Sequence, residues 1–186
     1  MVLKLPRTIR LDPSDTLVFE NAAEPGEWAV TGSVLFWDKD VAALTGKGRA
    51  AFRAGFVGVR SFGFSTLVVV TEASPAEHDE AIEALAQGLV ARLGAPSLDA
   101  ARAAAQEEVA FASSLCQHAV NTILALHRTI ERGAIKEQFR ALQMRDHAAN
   151  GTDRLHAHAR AFEVVDSDDE PDERVDLVGM MGGQTR

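Results

Sequence analysis

The run Phe64-Ser65-Thr66-Leu67-Val68-Val69-Val70, followed three residues later by Ser74-Pro75-Ala76-Glu77, decides the fold class. The first part is continuous, apolar and rich in β-branched side chains, which suits a central strand covered on both faces. The second supplies a serine to cap a helix, a proline at the first helical position where its missing N–H costs nothing, and a glutamate placed to reach back to the serine backbone. A strand that hands over at once to so firmly punctuated a helix predicts an α+β chain: an antiparallel sheet from the N-terminal third, covered by a helical layer.

Working outward toward the N-terminus, Thr8-Ile9-Arg10-Leu11 and Thr16-Leu17-Val18-Phe19 are short β-prone runs separated by Asp12-Pro13-Ser14-Asp15, so a hairpin is expected there. Residues 28–37 read as a longer strand with a bulge at Gly32. Arg49-Ala50-Ala51-Phe52-Arg53-Ala54 fits either a helical turn or the start of a strand. Toward the C-terminus, Ile82, Leu85, Ala86, Leu89, Val90 and Leu93 recur on one helical stripe until Gly94 and Pro96 end it. Ser97 then starts a second helix, expected over residues 98–132. Gly133 marks a kink or break, residues 134–147 continue in helical style, and Asn150-Gly151 is the stop. The expected organisation is thus one domain over residues 1–150, with strands within 5–72 and helices within 75–147. An extension follows over 151–186, comprising a solvated, mobile acidic linker and an apolar tail.

The chain has 186 residues, 46% of them apolar, and a formal charge of −8. That is enough to bury a core without staples. A lone Cys116 excludes an internal disulfide, and no apolar run has the length of a membrane span, so no membrane insertion is expected. With no basic run, nucleic acid is not an expected partner. The N-terminus lacks the apolar core of a signal peptide, and a cytoplasmic protein is expected.

Chemistry-bearing patterns are sparse. On the expected helix, Cys116 and His118 are two residues apart and diverge by about 200°, so they cannot share a metal. Cys116 falls instead on the apolar stripe of Val109, Ala112, Ala119, Val120, Ile123 and Ile130, as a small buried hydrophobe, with His127 on the same buried face. The opposite face carries Glu107, Ser114, His118 and Asn121 as a polar stripe, facing solvent or a partner. A serine four residues before a histidine can hydrogen-bond to it, but no G-x-S-x-G turn accompanies the pair, and no catalytic residue is assigned. His156 and His158 have metal-like spacing if the segment is extended, with His147 and Glu163 available to complete a set; in a helix the pairing is lost. Gly46-Lys47-Gly48-Arg49 lacks the spacing of a phosphate loop and reads as a plain cationic turn. The glycines of residues 55–63 suggest tight sheet packing. Val175, Leu177, Val178, Met180 and Met181 form an apolar end that should dock on this domain, on a second copy or on another protein.

Leu5-Pro6-Arg7-Thr8-Ile9-Arg10-Leu11-Asp12-Pro13-Ser14-Asp15, Glu24-Pro25-Gly26-Glu27-Trp28, Phe36-Trp37-Asp38 and the phrase from Ser61-Phe62-Gly63 to Thr66 together resemble a family of small alphaproteobacterial proteins without assigned activity. The likeness spans residues 5–150 and implies a bacterial, cytoplasmic origin but carries over no site residue. The expected function is that of a non-catalytic accessory or assembly protein, without a cofactor, whose partner is another protein or a second copy of itself. The alternative is a metal-binding or enzyme subunit using His118 or the His156/His158 pair.

Overall fold

In a computed structural model, residues 2–144 and 162–167 are described. Two antiparallel sheets and two packed helices form the α+β architecture. The larger sheet has the order β1-β5-β6-β7-β8, from Lys4–Ile9, Leu67–Glu72, Ile123–Glu131, Ala134–Met144 and Phe162–Ser167. The smaller comprises β2 (Ala29–Val30), β3 (Phe56–Gly58) and β4 (Phe64–Ser65). Short helices α1 (Ser14–Val18) and α2 (Gly46–Ala54) lie among the early strands, and α3 (Pro75–Leu93) and α4 (Leu98–Ser114) separate β5 from β6.

The junction at residue 74 forms as its sequence predicts. Ser74 accepts the Glu77 N–H, Glu77 accepts the Ser74 N–H in return, and Gly94 ends α3 with φ of 68°, a left-handed conformation that favours glycine. Ser97 caps α4 by accepting the Ala100 N–H. Leu85, Ala86 and Leu89 of α3 share one core with Ala101, Ala105, Val109 and Ala112 of α4, together with Leu5, Trp28, Val30 and Val57. Gly88 of α3 provides the notch in which the Phe62 ring lies, since a Cβ there would overlap the ring. A second core lies beneath the larger sheet, where Val68, Val70, Leu124, Leu126 and Ala141 meet Ala29, Phe56 and Cys116.

Several sequence expectations are corrected. The second helix stops at Ser114: a 3₁₀ turn follows at Leu115–Gln117, with Cys116 already off helical geometry at ψ of 33°, and Asn121 takes φ of 72°. Residues 123–144, expected to be helical, form the β6–β7 hairpin instead. Ile123 and Ile130 are seven apart and match a helical stripe, but the buried positions Leu124, Leu126 and Arg128 alternate with period two. Pairing of Leu124 with Val68 on one side and with Ala141 on the other outweighs local preference. Gly133, read as a helix kink, is the second residue of the hairpin turn: Arg132 and Gly133 have φ of 51° and 81° between the paired Glu131 and Ala134. The larger sheet is therefore built from both ends of the chain, not from its N-terminal third alone.

Three further corrections concern short segments. No 8–19 hairpin forms, because β1 pairs along its length with β5 and residues 14–18 turn into α1, whose Asp15 carboxylate accepts from Thr66 Oγ1 at 2.7 Å. The 28–37 strand ends after Val30: Gly32 takes φ of 77° and a 3₁₀ turn follows at Ser33–Phe36. The 64–70 run is divided at Thr66, so that its two halves serve different sheets. Residues 49–54 take the helical option within α2. The glycine-rich stretch does pack tightly, since a Cβ on Gly63 would stand 2.5 Å from the Ala23 backbone nitrogen.

Candidate functional site

The 3₁₀ turn at Ser33–Phe36 sends two adjacent aromatic side chains in opposite directions. Phe36 points inward, edge-on to Phe52 with ring centroids 5.3 Å apart. Trp37 points outward and is 85% exposed, whereas Trp28 is 7% exposed beneath the Arg7 guanidinium. The turn depends on Gly32, because a Cβ there would collide with the Val57 side chain. Trp is enriched where proteins meet ligands or partners.

Trp37 stands between two depressions. On one side a cleft of about 450 Å³ lies between α4 and the β6–β7 hairpin, bordered by Glu107, Glu108, Ile135 and Glu137. On the other a groove of about 390 Å³ follows the α3–α4 connection, lined by Leu89, Leu93, Ala95, Pro96, Ala100 and Asp38 among others. Val34, Trp37 and Ala104 line both, so they form a common wall. The groove is largely apolar. The cleft carries three carboxylates and no cationic side chain in its lining.

Arg128 organises the floor behind the cleft. It is 1% exposed and sits directly opposite Glu137 in the hairpin register. Its Nε donates to Glu137 Oε1 at 2.7 Å, one terminal nitrogen donates to the Phe52 and Gly55 carbonyls at 3.0 Å each, and the other donates to the Thr31 carbonyl. The Phe52 and Gly55 carbonyls are at the C-terminal end of α2, where oxygens lack intrahelical partners and the helix dipole favours a cation. One side chain thereby ties α2, the end of β2 and β7 together. Burial pushes the Arg128 pKa down and the Glu137 carboxylate pushes it back up; a guanidinium remains charged.

Glu108 is only partly compensated. Burial holds its carboxyl above the usual carboxylate range and the nearby Glu137 charge adds to the rise, while the Gly32 N–H and Arg128 act the other way. Its Oε2 is buried without a hydrogen-bond partner. With Arg128 committed to Glu137 and three carbonyls, the cleft keeps an excess of negative charge.

The polar stripe read from the sequence is dispersed. Glu107 and Ser114 are on α4, but His118 and Asn121 are beyond its end in extended and left-handed backbone. Ser114 Oγ donates to the Phe111 carbonyl at 2.6 Å, and the His118 carbonyl accepts from Lys4 Nζ, also at 2.6 Å. Only Glu107 reaches the candidate site. His127, expected on a buried face, is exposed on β6 because the strand puts Leu126 and Arg128 inward. Cys116 is buried as expected, and burial pushes its thiol up to about 12. Among the described residues no group of three or more His, Cys, Asp or Glu is arranged to hold a metal. His156, His158 and the tail residues Val175, Leu177, Val178, Met180 and Met181 lie outside the described residues. Among those described, no helix is long and apolar enough to cross a membrane.

Sequence reasoning missed Trp37, Glu108, Arg128 and Glu137. The available signal was the two-residue turn at Arg132-Gly133: positions equidistant from it pair across a hairpin, which sets Arg128 opposite Glu137.

Neither a curated protein nor a solved structure matches the chain. A family model does match, over residues 1–161, and the chain belongs to that family, DUF6505, a family of unknown function.

Proposed function

We propose that the protein is a non-catalytic accessory or assembly protein of the bacterial cytoplasm that acts by holding another protein against the Trp37 face. The observation that carries this reading is the indole itself, 85% exposed on the wall between two depressions while the protein's other indole is buried. Large aromatic side chains are enriched among the anchors of protein interfaces. Arg128 supports the same reading, because its donors are spent on structural acceptors.

The test is recovery of partners from the native host with a tagged full-length chain and with its Trp37→Ala variant. Removing an exposed side chain should leave stability within about 0.5 kcal/mol. Partners held by this face should be lost with the indole. An unchanged set of partners, with the variant fully folded, would remove Trp37 as the anchor.

A further inference from the structure

The apolar groove, the indole and the acidic cleft lie side by side in a fixed order, and that order specifies what fits them. We infer that the Trp37 face takes a basic amphipathic segment of a partner protein, with its apolar side chains along the Leu89, Leu93 and Pro96 groove and a lysine or arginine in the Glu107, Glu108, Glu137 cleft. This rests on the reading of Trp37 as an anchor and adds the chemistry of the occupant.

Charge complementarity selects this occupant. The cleft lining has three carboxylates, of which Glu137 is already paired with Arg128 behind it, and the groove adds Asp38, with no lysine or arginine in either lining. A cation entering the cleft meets the field of the Glu107 and Glu108 carboxylates that border it and passes beside the exposed indole, whose face attracts cations through its quadrupole. Bringing in an anionic segment would add like charge to a site that already has an excess, at a cost in affinity. Overall charge weighs against two alternative occupants. A second copy of the chain brings a net charge of −8, and the chain's own apolar end follows the acidic run Asp166-Ser167-Asp168-Asp169-Glu170-Pro171-Asp172-Glu173. The groove, in turn, demands more than charge: Leu93 is 43% exposed and Trp37 85%, and a purely polar cation leaves both in water.

The experiment uses the full-length chain labelled with 5-fluorotryptophan, whose two fluorine resonances are assigned with the Trp37→Phe variant. Three 14-residue synthetic peptides are titrated: an amphipathic Leu/Lys peptide, a Leu/Glu peptide of the same pattern, and a Ser/Lys peptide of the same charge. The Leu/Lys peptide should shift the Trp37 resonance and leave Trp28 in place. It should bind at least about tenfold more tightly than the other two, and the Glu107→Gln/Glu108→Gln variant should weaken it about fivefold, the equivalent of about 1 kcal/mol. Equal binding of the Leu/Glu peptide would overturn the basic occupant while leaving Trp37 as an anchor. Equal binding of the Ser/Lys peptide would overturn the role of the groove. If none of the three moves Trp37, the inferred occupant is wrong, and the Trp37→Ala recovery experiment decides separately whether the anchor reading stands. Acrylamide quenching of the free chain provides the remaining control. Trp37 should be fully accessible; protection that is independent of protein concentration would assign the groove to the chain's own tail, and protection that grows with concentration would assign it to a second copy, either of which overturns the inference.

Discussion

Replacing Arg128 by methionine keeps most of the unbranched stem and removes the guanidinium. The substitution leaves the Glu137 carboxylate, 14% exposed, facing a thioether, and it strips donors from the Phe52, Gly55 and Thr31 carbonyls. Breaking a buried ion pair from one side costs roughly 3–5 kcal/mol, because the surviving charge stays desolvated. That is a large part of the ~5–15 kcal/mol that holds a domain folded. For a chain of this length each kcal/mol moves the midpoint by about 2–4 °C, so the expected fall in Tm is roughly 6–20 °C. Urea unfolding followed by tryptophan fluorescence and far-UV circular dichroism gives the free energy directly. Arg128→Lys should recover only part of the loss, since a single ammonium cannot match the fork that reaches a carboxylate and three carbonyls. Arg128→Met combined with Glu137→Leu removes both charges and should be less destabilised than the sum of the single variants, by about 0.5–3 kcal/mol. A loss below about 1 kcal/mol for Arg128→Met, or strict additivity in the cycle, would refute the view that this guanidinium ties α2 to the hairpin.

Four further expectations concern single positions. Gly88→Ala should destabilise by about 1–3 kcal/mol in chemical denaturation, despite the better helix propensity of alanine, because the new methyl group meets the packed Phe62 ring. Ser74→Ala should cost about 0.5–2 kcal/mol by the same assay, through loss of the capping box at the start of α3. Glu108 has its carboxyl raised above the usual range by burial, so its favourable contribution is complete below the ordinary carboxylate pKa and disappears as pH rises through the raised value. Glu108→Gln should therefore gain stability over the wild type in neutral solution, with the gain vanishing in acid; a pH-independent difference in Tm would contradict this. Cys116, with its thiol pushed up to about 12 by burial, should react with a disulfide reagent only on unfolding, and Cys116→Ala should cost about 1 kcal/mol. Rapid labelling of the folded chain would sink that assignment.

What could be read from the sequence follows a physical rule. The α3 start was legible because Ser74, Pro75 and Glu77 act on their own backbone, and local chemistry needs no tertiary partner. Cys116 was placed correctly in the core for a reason that did not hold, since the helix supporting the argument ends before it. Residues 123–144 were illegible because spacing of seven satisfies a helix while the alternation of Leu124, Leu126 and Arg128 satisfies a strand, and an arginine in the alternating set conceals the pattern. The candidate site was hidden for the same reason. Glu108 and Glu137 are on elements separated by the misread segment, and Trp37 lay in a run taken for strand until the left-handed Gly32 turned it outward.

The clamp at Arg128 also imposes an order in time. Its acceptor at Thr31 precedes it by 97 positions and that at Phe52 by 76. At roughly 5–20 residues per second of synthesis, the first of these carbonyls leaves the ribosome about 5–20 s before the guanidinium does. During that interval α3 and α4, which pack on each other through near-neighbour sequence, are free to form, but the Phe52 and Gly55 carbonyls lack the Arg128 guanidinium and β5 has no β6 beside it. Closure of the clamp and of the larger sheet therefore waits on pairings that are distant in sequence. The nascent protein thus passes through a stage in which an open sheet edge and the unclamped end of α2 are presented together.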